Sequence, residues 1–361
     1  MGPAAEERTL RRYTDPVTTE SLPGLDLAAL DRHLQRIGIP RSGQLRAELI
    51  SGGRSNLTFH VSDDASAWVL RRPPMHGLTP SAHDMAREYR VVAALGGTPV
   101  PVAGAVTLCE DESVLSAPFA MVEYVPGRVV RSADELEAVG DSAEIERCID
   151  ELIRVLSDLH AVDPASVGLA DFGRADGYLE RQVRRWAGQW QHVRLDDDDR
   201  DADVRRLHSA LAEAVPPQSG TSVVHGDYRI DNTILDLDDA AIVRAVVDWE
   251  LSTLGDPLSD AALMCAERDP AMDPILGMRS AWSSPSIPSA DQLAQRYSEL
   301  SGRSLAHWPF HMSLAYFKIA IIAAGIDFRR RMAGGADGPD RVGEVIAPLI
   351  ASGLKAINSP E

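Results

Sequence analysis

The chain has 361 residues, enough to bury a full core as one large domain or as two lobes sharing a cleft. Apolar residues make up 44%, near the globular average, and no long uninterrupted apolar run occurs, so no transmembrane helix and no membrane partner is expected. The formal charge of −18 excludes a nucleic-acid footprint, which needs a basic face, and suits either solubility or the steering of cationic substrates.

The first residues (MGPAAEERTLRRYTDP) carry acidic groups and no apolar core, so they are read as an N-terminal arm over 1–24 rather than a signal peptide. A short helix is predicted over 28–36. Strands are predicted over 45–50, 57–61 and 67–71, the first two split by the turn Ser51-Gly52-Gly53-Arg54-Ser55-Asn56. Pro73 and Pro74 stop the third, because proline cannot continue a ladder. Helical spacing over 83–95 ends at Gly96-Gly97, and two more strands follow at 103–109 and 119–124.

From Pro126-Gly127 onward the periodicity changes from two residues to that of helices. Residues 144–160 place Ile145, Cys148, Ile149, Leu152, Leu156 and Leu159 on one stripe. Residues 178–193 do the same with Leu179, Val183, Trp186 and Trp190. The run Asp196-Asp197-Asp198-Asp199 reads as a solvated loop or a helix start. Strand-like residues 222–224 and 243–247 flank a turn-rich segment, and helices fill the rest around a Ser/Pro loop at 283–289. The pattern is α+β, with an N-lobe over 25–125 and a helical C-lobe over 126–361. Cys109, Cys148 and Cys265 lack metal-ligand spacing and are expected to be reduced buried thiols of a cytoplasmic protein. The only lysines are Lys318 and Lys355, so every other cationic role falls to arginine.

The strongest chemical signal is His225-Gly226-Asp227-Tyr228-Arg229-Ile230-Asp231-Asn232, followed by Val246-Val247-Asp248-Trp249-Glu250. Phosphoryl transfer needs a carboxylate to orient the attacking hydroxyl, a nearby oxygen ligand for a metal, and a second carboxylate bridging metal and phosphates. Asp227, Asn232 and Asp248 have that chemistry at suitable spacing, and magnesium prefers such hard oxygen donors. A polar turn capped by Asp and Asn is the bland alternative.

These residues resemble the aminoglycoside phosphotransferase family, whose fold and catalytic layout are similar to those of protein kinases. The resemblance implies an antiparallel-sheet N-lobe, a mainly helical C-lobe, Asp227 as catalytic base, and Asn232 and Asp248 as magnesium ligands. It also implies ATP or GTP as phosphoryl donor and a small-molecule hydroxyl as acceptor. On the nucleotide side, Gly52, Gly53, Ser55 and Asn56 match the loop folding over phosphates, whose backbone N–H groups can meet anionic oxygens. Arg71 stands where the family has a phosphate-touching cation, with Arg72 as the competing choice and Glu88 as the cation's partner. Glu123 and Tyr124 match the hinge strand that holds the base. Asp256 and Asp260 are expected to cap or support rather than bind metal, Asp256 as an N-cap before Pro257. His225 is expected to orient the loop. Asp171-Phe172-Gly173 precedes the catalytic loop, the wrong order for a kinase metal motif, and receives no metal role.

Asp171-Phe172-Gly173-Arg174, the Tyr178 to Trp190 segment, Leu70 to Pro74 and Gly255-Asp256-Pro257 look like one branch of the family, the kinase-like domains associated with acyl-CoA dehydrogenases. Arg181 and Arg185, four apart on a helix, face away from the apolar stripe and are candidate contacts for an anionic acceptor. The acceptor is therefore a hydroxy acid or hydroxyacyl thioester, or else an amino sugar. An inactive nucleotide-binding regulator and an enzyme transferring AMP are the further alternatives.

Overall fold

Two-residue alternation builds the first part of the chain. Phe59 and Val61 on one strand, and Trp68 and Leu70 on the next, are buried and pair directly, Phe59 with Leu70 and Val61 with Trp68. In the computed structural model, which describes residues 22–51, 56–75, 84–195, 198–333 and 341–360, these strands belong to a five-stranded antiparallel sheet. Its strands are β1 (Arg46–Ser51), β2 (Leu57–Ser62), β3 (Ala67–Arg72), β4 (Ala105–Cys109) and β5 (Phe119–Glu123), in the order β1-β2-β3-β5-β4. Leu30 and Leu34 of the Leu27–Arg36 helix, with Phe119 and Met121, complete the core on one face of the sheet. The helix starts at Asp26, whose carboxylate caps the N–H of Ala29.

The chain divides into two compact units, Met1–Tyr89 with Gly104–Tyr124, and Arg90–Ala103 with Val125–Glu361. The division differs from a single cut after residue 125. The Met85–Leu95 helix has Met85 and Glu88 on the first unit's side of the boundary. Val91, Leu95 and Val100 are buried in the core of the second.

In the second unit helical stripes dominate. The Ser142–Ala161 helix buries the whole predicted stripe from Ile145 to Leu159. Its capping box, Asp141 with Glu144, satisfies N–H groups that the first turn leaves without partners. A second core gathers around the Trp308–Met332 helix, which packs against the Tyr178–Val193, Pro257–Ala266 and Val342–Ile357 helices. This 25-residue helix is long and apolar enough by composition to cross a membrane, but 67% of its apolar window is buried inside the protein, as in a core helix.

Two small antiparallel ladders interrupt the helices. β6 (Ser222–Val224) pairs with β9 (Thr253–Gly255), and β7 (Thr233–Leu235) pairs with β8 (Val243–Val246). The predicted strands at 222–224 and 243–247 therefore do not pair with each other; each takes a three-residue partner too short to show periodicity. All three cysteines are free and buried. The turn residues 52–55, the start of the helix predicted from residue 83, and Asp196 and Asp197 lie outside the described residues.

Candidate active site

The loop between β6 and β7 is shaped by backbone demands. Gly226 has φ +85°, and a Cβ there would lie 2.9 Å from the carbonyl oxygen of Leu251, so only glycine fits. The N–H groups of His225 and Gly226 both donate to the Asp260 carboxylate, at 2.7 and 2.8 Å. Asp260 is buried and also meets Nε2 of His160 at 3.2 Å. Burial pushes its carboxyl upward, but His160 and His225 outweigh this and hold it below the ordinary carboxylate value. Asp256 caps the Pro257–Ala266 helix through the N–H of Leu258, with Pro257 opening the helix, and also accepts from the Ser219 N–H and hydroxyl.

His225 is held on both sides. Its Nε2 lies 2.9 Å from the Val247 carbonyl oxygen and its Nδ1 accepts the N–H of Asp227 at 3.3 Å, while Trp249 and Tyr228 pack around the ring. With Nδ1 accepting, the ring proton belongs on Nε2, which orients the loop and leaves no free nitrogen for proton transfer.

Asp227 is half-buried at the loop's turn. The Asn232 amide donates to the Asp227 carbonyl oxygen at 2.7 Å and to its carboxylate at 2.9 Å, across the five-residue spacing seen in the sequence. Arg229 Nη2 stands 3.5 Å from the same carboxylate, and Arg229 Nε lies 3.0 Å from Asp231. Burial pushes the Asp227 carboxyl up, yet Arg229, His225, Lys318 and Asn232 together hold it below its ordinary value, so it is ionised at neutral pH.

Asp248 enters beside Asn232 because of the β7–β8 register. Thr233 pairs with Val246, and the Val247 N–H donates to the Asn232 carbonyl at 2.9 Å, so Asn232 and Asp248 leave the same end of one ladder. Asp248 has φ 65° and ψ 59°, a left-handed conformation that costs energy for a residue with a Cβ and recurs at functional sites. No cluster of three or more His, Cys, Asp and Glu side chains able to hold a metal occurs among the described residues. One amide oxygen and one carboxylate fit a magnesium ion that takes its remaining ligands from phosphates and water, and do not fit an all-protein cage.

Glu267 and Lys318, not singled out by motif, also reach this site. The Lys318 ammonium donates to the Gly226 carbonyl at 2.7 Å. Glu267 is buried at the end of the Pro257–Ala266 helix, and its Oε2 has no hydrogen-bond partner among the described residues. Burial pushes its carboxyl well up, and Asp227 adds to this against Arg229 and Lys318. The signal in the sequence was Lys318 itself, one of two lysines in the chain.

Within the first unit, Arg71 Nη1 lies 2.7 Å from Glu88 Oε2, and Asn56 Nδ2 donates to the other Glu88 oxygen at 3.2 Å. Arg72 points to the opposite face of β3. It is buried and donates to the carbonyls of Gly24, Leu115 and Pro73. Glu123 pairs with Trp68 across β5 and β3, and its N–H donates to the Gly104 carbonyl at 2.7 Å. The Tyr124 N–H donates to Ala67 at 3.0 Å. Gly52, Gly53 and Ser55 lie outside the described residues.

Arg181 and Arg185, both expected to meet an anionic acceptor, stand in different surroundings. The Arg181 guanidinium donates to the carbonyls of Arg174 and Asp176, just before its own helix, where Gly177 at φ +65° turns the chain. Arg185 is exposed and lies 5.3 Å above the ring of Trp186. Asp171 is exposed and ion-paired with Arg90.

Comparison with known proteins bears on this arrangement. Acyl-CoA dehydrogenase family member 10 of Mus musculus is 34% identical over 313 residues, 85% of this chain, and the chain spans 29% of that protein's length. The crystal structure of a candidate aminoglycoside phosphotransferase from Ralstonia eutropha is 32% identical, with a TM-score of 0.78 over 92% of this chain and 98% of its own. Two more distant structures, each 16% identical over 92% of this chain, share the protein-kinase-like fold with TM-scores of 0.60 and 0.57. One is an aminoglycoside phosphotransferase holding GDP and kanamycin, matched over 100% of its length. The other is a thermostable mutant of aminoglycoside phosphotransferase APH(4)-Ia holding AMP-PNP and hygromycin B, matched over 97%. The phosphotransferase enzyme family matches residues 46–297, which contain the His225-to-Asn232 loop, Asp248 and the Arg71–Glu88 pair, and the chain belongs to that family.

Proposed function

We propose that the protein moves the γ-phosphoryl group of ATP or GTP onto a hydroxyl of a small molecule, a hydroxy acid or hydroxyacyl thioester. The observation that carries this reading is the ionised Asp227 carboxylate, fixed by the Asn232 amide at 2.9 Å beside the ladder end that delivers Asp248. Asp227 accepts a hydrogen bond from the acceptor hydroxyl, aims its oxygen, and takes its proton as the new O–P bond forms and the bridging O–P bond breaks, releasing the nucleoside diphosphate. Asn232, by its amide oxygen, and Asp248 would hold a magnesium ion, which would neutralise phosphate charge. In the first unit, Arg71, steadied by Glu88 and Asn56, meets the donor phosphates. Catalysis then rests on positioning and charge placement.

The acceptor class is supported by the dehydrogenase-named relative and by the arginine-bearing Tyr178–Val193 helix. An amino sugar is the second reading, supported by the kanamycin and hygromycin B held by the distant structures and by the chain's charge of −18. The test is nucleotide consumption, with ATP and with GTP, against a panel of amino sugars, hydroxy acids and their coenzyme A thioesters. Phosphorylated hydroxy acid or thioester is expected. Transfer confined to amino sugars would replace the acceptor, and no transfer to any alcohol, with magnesium-dependent nucleotide binding intact, would replace the enzyme with a nucleotide-binding regulator.

A further inference from the structure

Two cations address one indole. Trp186, half-buried on the Tyr178–Val193 helix, has the Arg185 guanidinium carbon 5.3 Å from its ring centroid and the Lys318 ammonium 5.9 Å from it. Each contact is ordinary alone, since cations favour the face of tryptophan. Together they bring two positive charges to the same ring. Lys318 is half-buried and comes from the Trp308–Met332 helix, and its Nζ also holds the carbonyl of Gly226, the residue before Asp227. Lys318 thereby links the pair of cations on Trp186 to the loop of the carboxylate proposed to receive the acceptor hydroxyl.

Lys318 sits deep enough that desolvation lowers its ammonium from the ordinary lysine value. Glu267, Asp227 and Asp260 oppose that shift, and Arg185 adds to it. Asp260 is occupied by two backbone N–H groups and His160. Asp227 is matched by Arg229 and Asn232. Glu267 is buried, and that burial favours its neutral form. No described ion pair within 4.0 Å neutralises Arg185 or Lys318, while Arg181, the other candidate cation of the helix, is committed to backbone carbonyls. An amino sugar would add a third positive charge here, whereas a molecule carrying its own anion would complete the cluster.

We propose that Lys318 and Arg185, gathered on Trp186 beside Asp227, form a subsite for an anionic group, carboxylate or phosphate, borne by the same acceptor molecule as the reacting hydroxyl. The inference deepens the phosphotransferase reading and rests on it. It makes Lys318 and Arg185 the residues that select against cationic acceptors.

The test pairs charged and neutral acceptors. Hydroxycarboxylates of increasing hydroxyl-to-carboxylate separation are compared with their methyl esters and with matching amino alcohols, and glycerol 3-phosphate is compared with glycerol. In the wild type, kcat/KM is expected to favour the charged anionic member of at least one pair, and the preferred pair identifies carboxylate or phosphate. Lys318→Met should erase that preference, by about tenfold to a hundredfold for the anionic member. Lys318→Arg should retain most of it. Arg185→Ala should erase part, and Arg181→Ala none. Damage to the loop through the lost Gly226 contact would lower both members of a pair equally, so the ratio separates recognition from structure. Equal rates on charged and neutral members, or a preference for the amino alcohols, would overturn the subsite while leaving the phosphotransferase intact. Tryptophan fluorescence with AMP-PNP bound, read against Trp186→Phe, reports binding of the same anions without turnover. Saturable binding lost in Lys318→Met, with no transfer to any alcohol, would keep the subsite and sink the transferase reading. No saturable binding of any anionic probe, together with no anionic preference in turnover, would overturn the subsite.

Discussion

The two units hold their proposed functional charges in different ways. In the first, β-strand alternation does the sorting. Arg71 and Arg72 are neighbours, yet one turns to Glu88 and the other is buried among carbonyls, because successive strand residues face opposite sides. In the second, no regular period holds Asp227. Its loop is hung from a buried carboxylate, Asp260, through two backbone N–H groups, and is closed by a glycine that no other residue replaces. A strand presents a charge cheaply, since its backbone hydrogen bonds are already made. A loop must find partners for its own N–H groups, and here buried side chains supply them.

The difference can be broken at the chemical step first. Asp227→Asn keeps the shape and removes the charge, so nucleotide binding should survive while turnover falls by about 10²–10⁴-fold. Asp248→Asn should lose magnesium-dependent nucleotide binding as well as turnover, because it strips charge from the proposed metal site. Calorimetry with and without magnesium separates the two variants; normal turnover in both would end the mechanism.

The scaffold of the loop comes next. Asp260→Ala leaves the His225 and Gly226 N–H groups and His160 without their acceptor, and should cost about 3–5 kcal/mol of stability. Denaturant unfolding would read this as a lower midpoint, and turnover should fall with Asp227 untouched. A variant of wild-type stability would mean that the loop does not depend on this carboxylate.

The buried polar scaffold should also make the second unit acid-sensitive. His311, buried with its Nδ1 3.2 Å from the Ser259 hydroxyl, is lowered by burial from 6.5 to about 4, with Asp256 opposing and His307 adding to the shift. The unfolded chain takes up this proton near 6.5 and the folded protein only near 4, so between these values the unfolded state binds more protons. Stability is therefore complete above pH 6.5 and should drop by about 3 kcal/mol as pH falls toward 4. His311→Gln should flatten that limb of the pH–stability curve; an unchanged curve would assign it to other groups.

The smallest effect sharpens the strand side. Arg72→Ala should destabilise by roughly 1–3 kcal/mol, since three carbonyls lose a buried donor. Arg71→Ala should weaken nucleotide binding more than Arg72→Ala does, at smaller cost to the fold. The reverse pattern, read by nucleotide titration and thermal melting, would exchange their roles.

Asp227, Asn232 and Asp248 could be picked out as a candidate set because they fall at short separations. Five residues span Asp227 to Asn232, and the apolar Val243–Val246 strand delivers Asp248. The helix stripes and the strands of the first sheet were legible for a related reason: burial repeats with the period of the element, as at Ile145 to Leu159. β7 and β9 have three residues each, shorter than any period can reveal, so the pairing that brings Asn232 beside Asp248 was not readable. Nor did local pattern foretell the division of the Met85–Leu95 helix at Tyr89, since its apolar residues fit a single stripe.

Sequence alone also determined that cationic work falls almost wholly to arginine, and that glycine, asparagine and aspartate would shape the turn around Asp227. Tertiary structure decided which cations are available. Arg181 and Arg185 are equivalent on a helical wheel, but Arg181 is taken up by the turn at Gly177, and Lys318 arrives from a distant helix to stand with Arg185 on Trp186. The physical reason is that a side chain's hydrogen-bonding capacity is finite, and what consumes it is whatever backbone or charge the packing of remote helices places within about 3 Å.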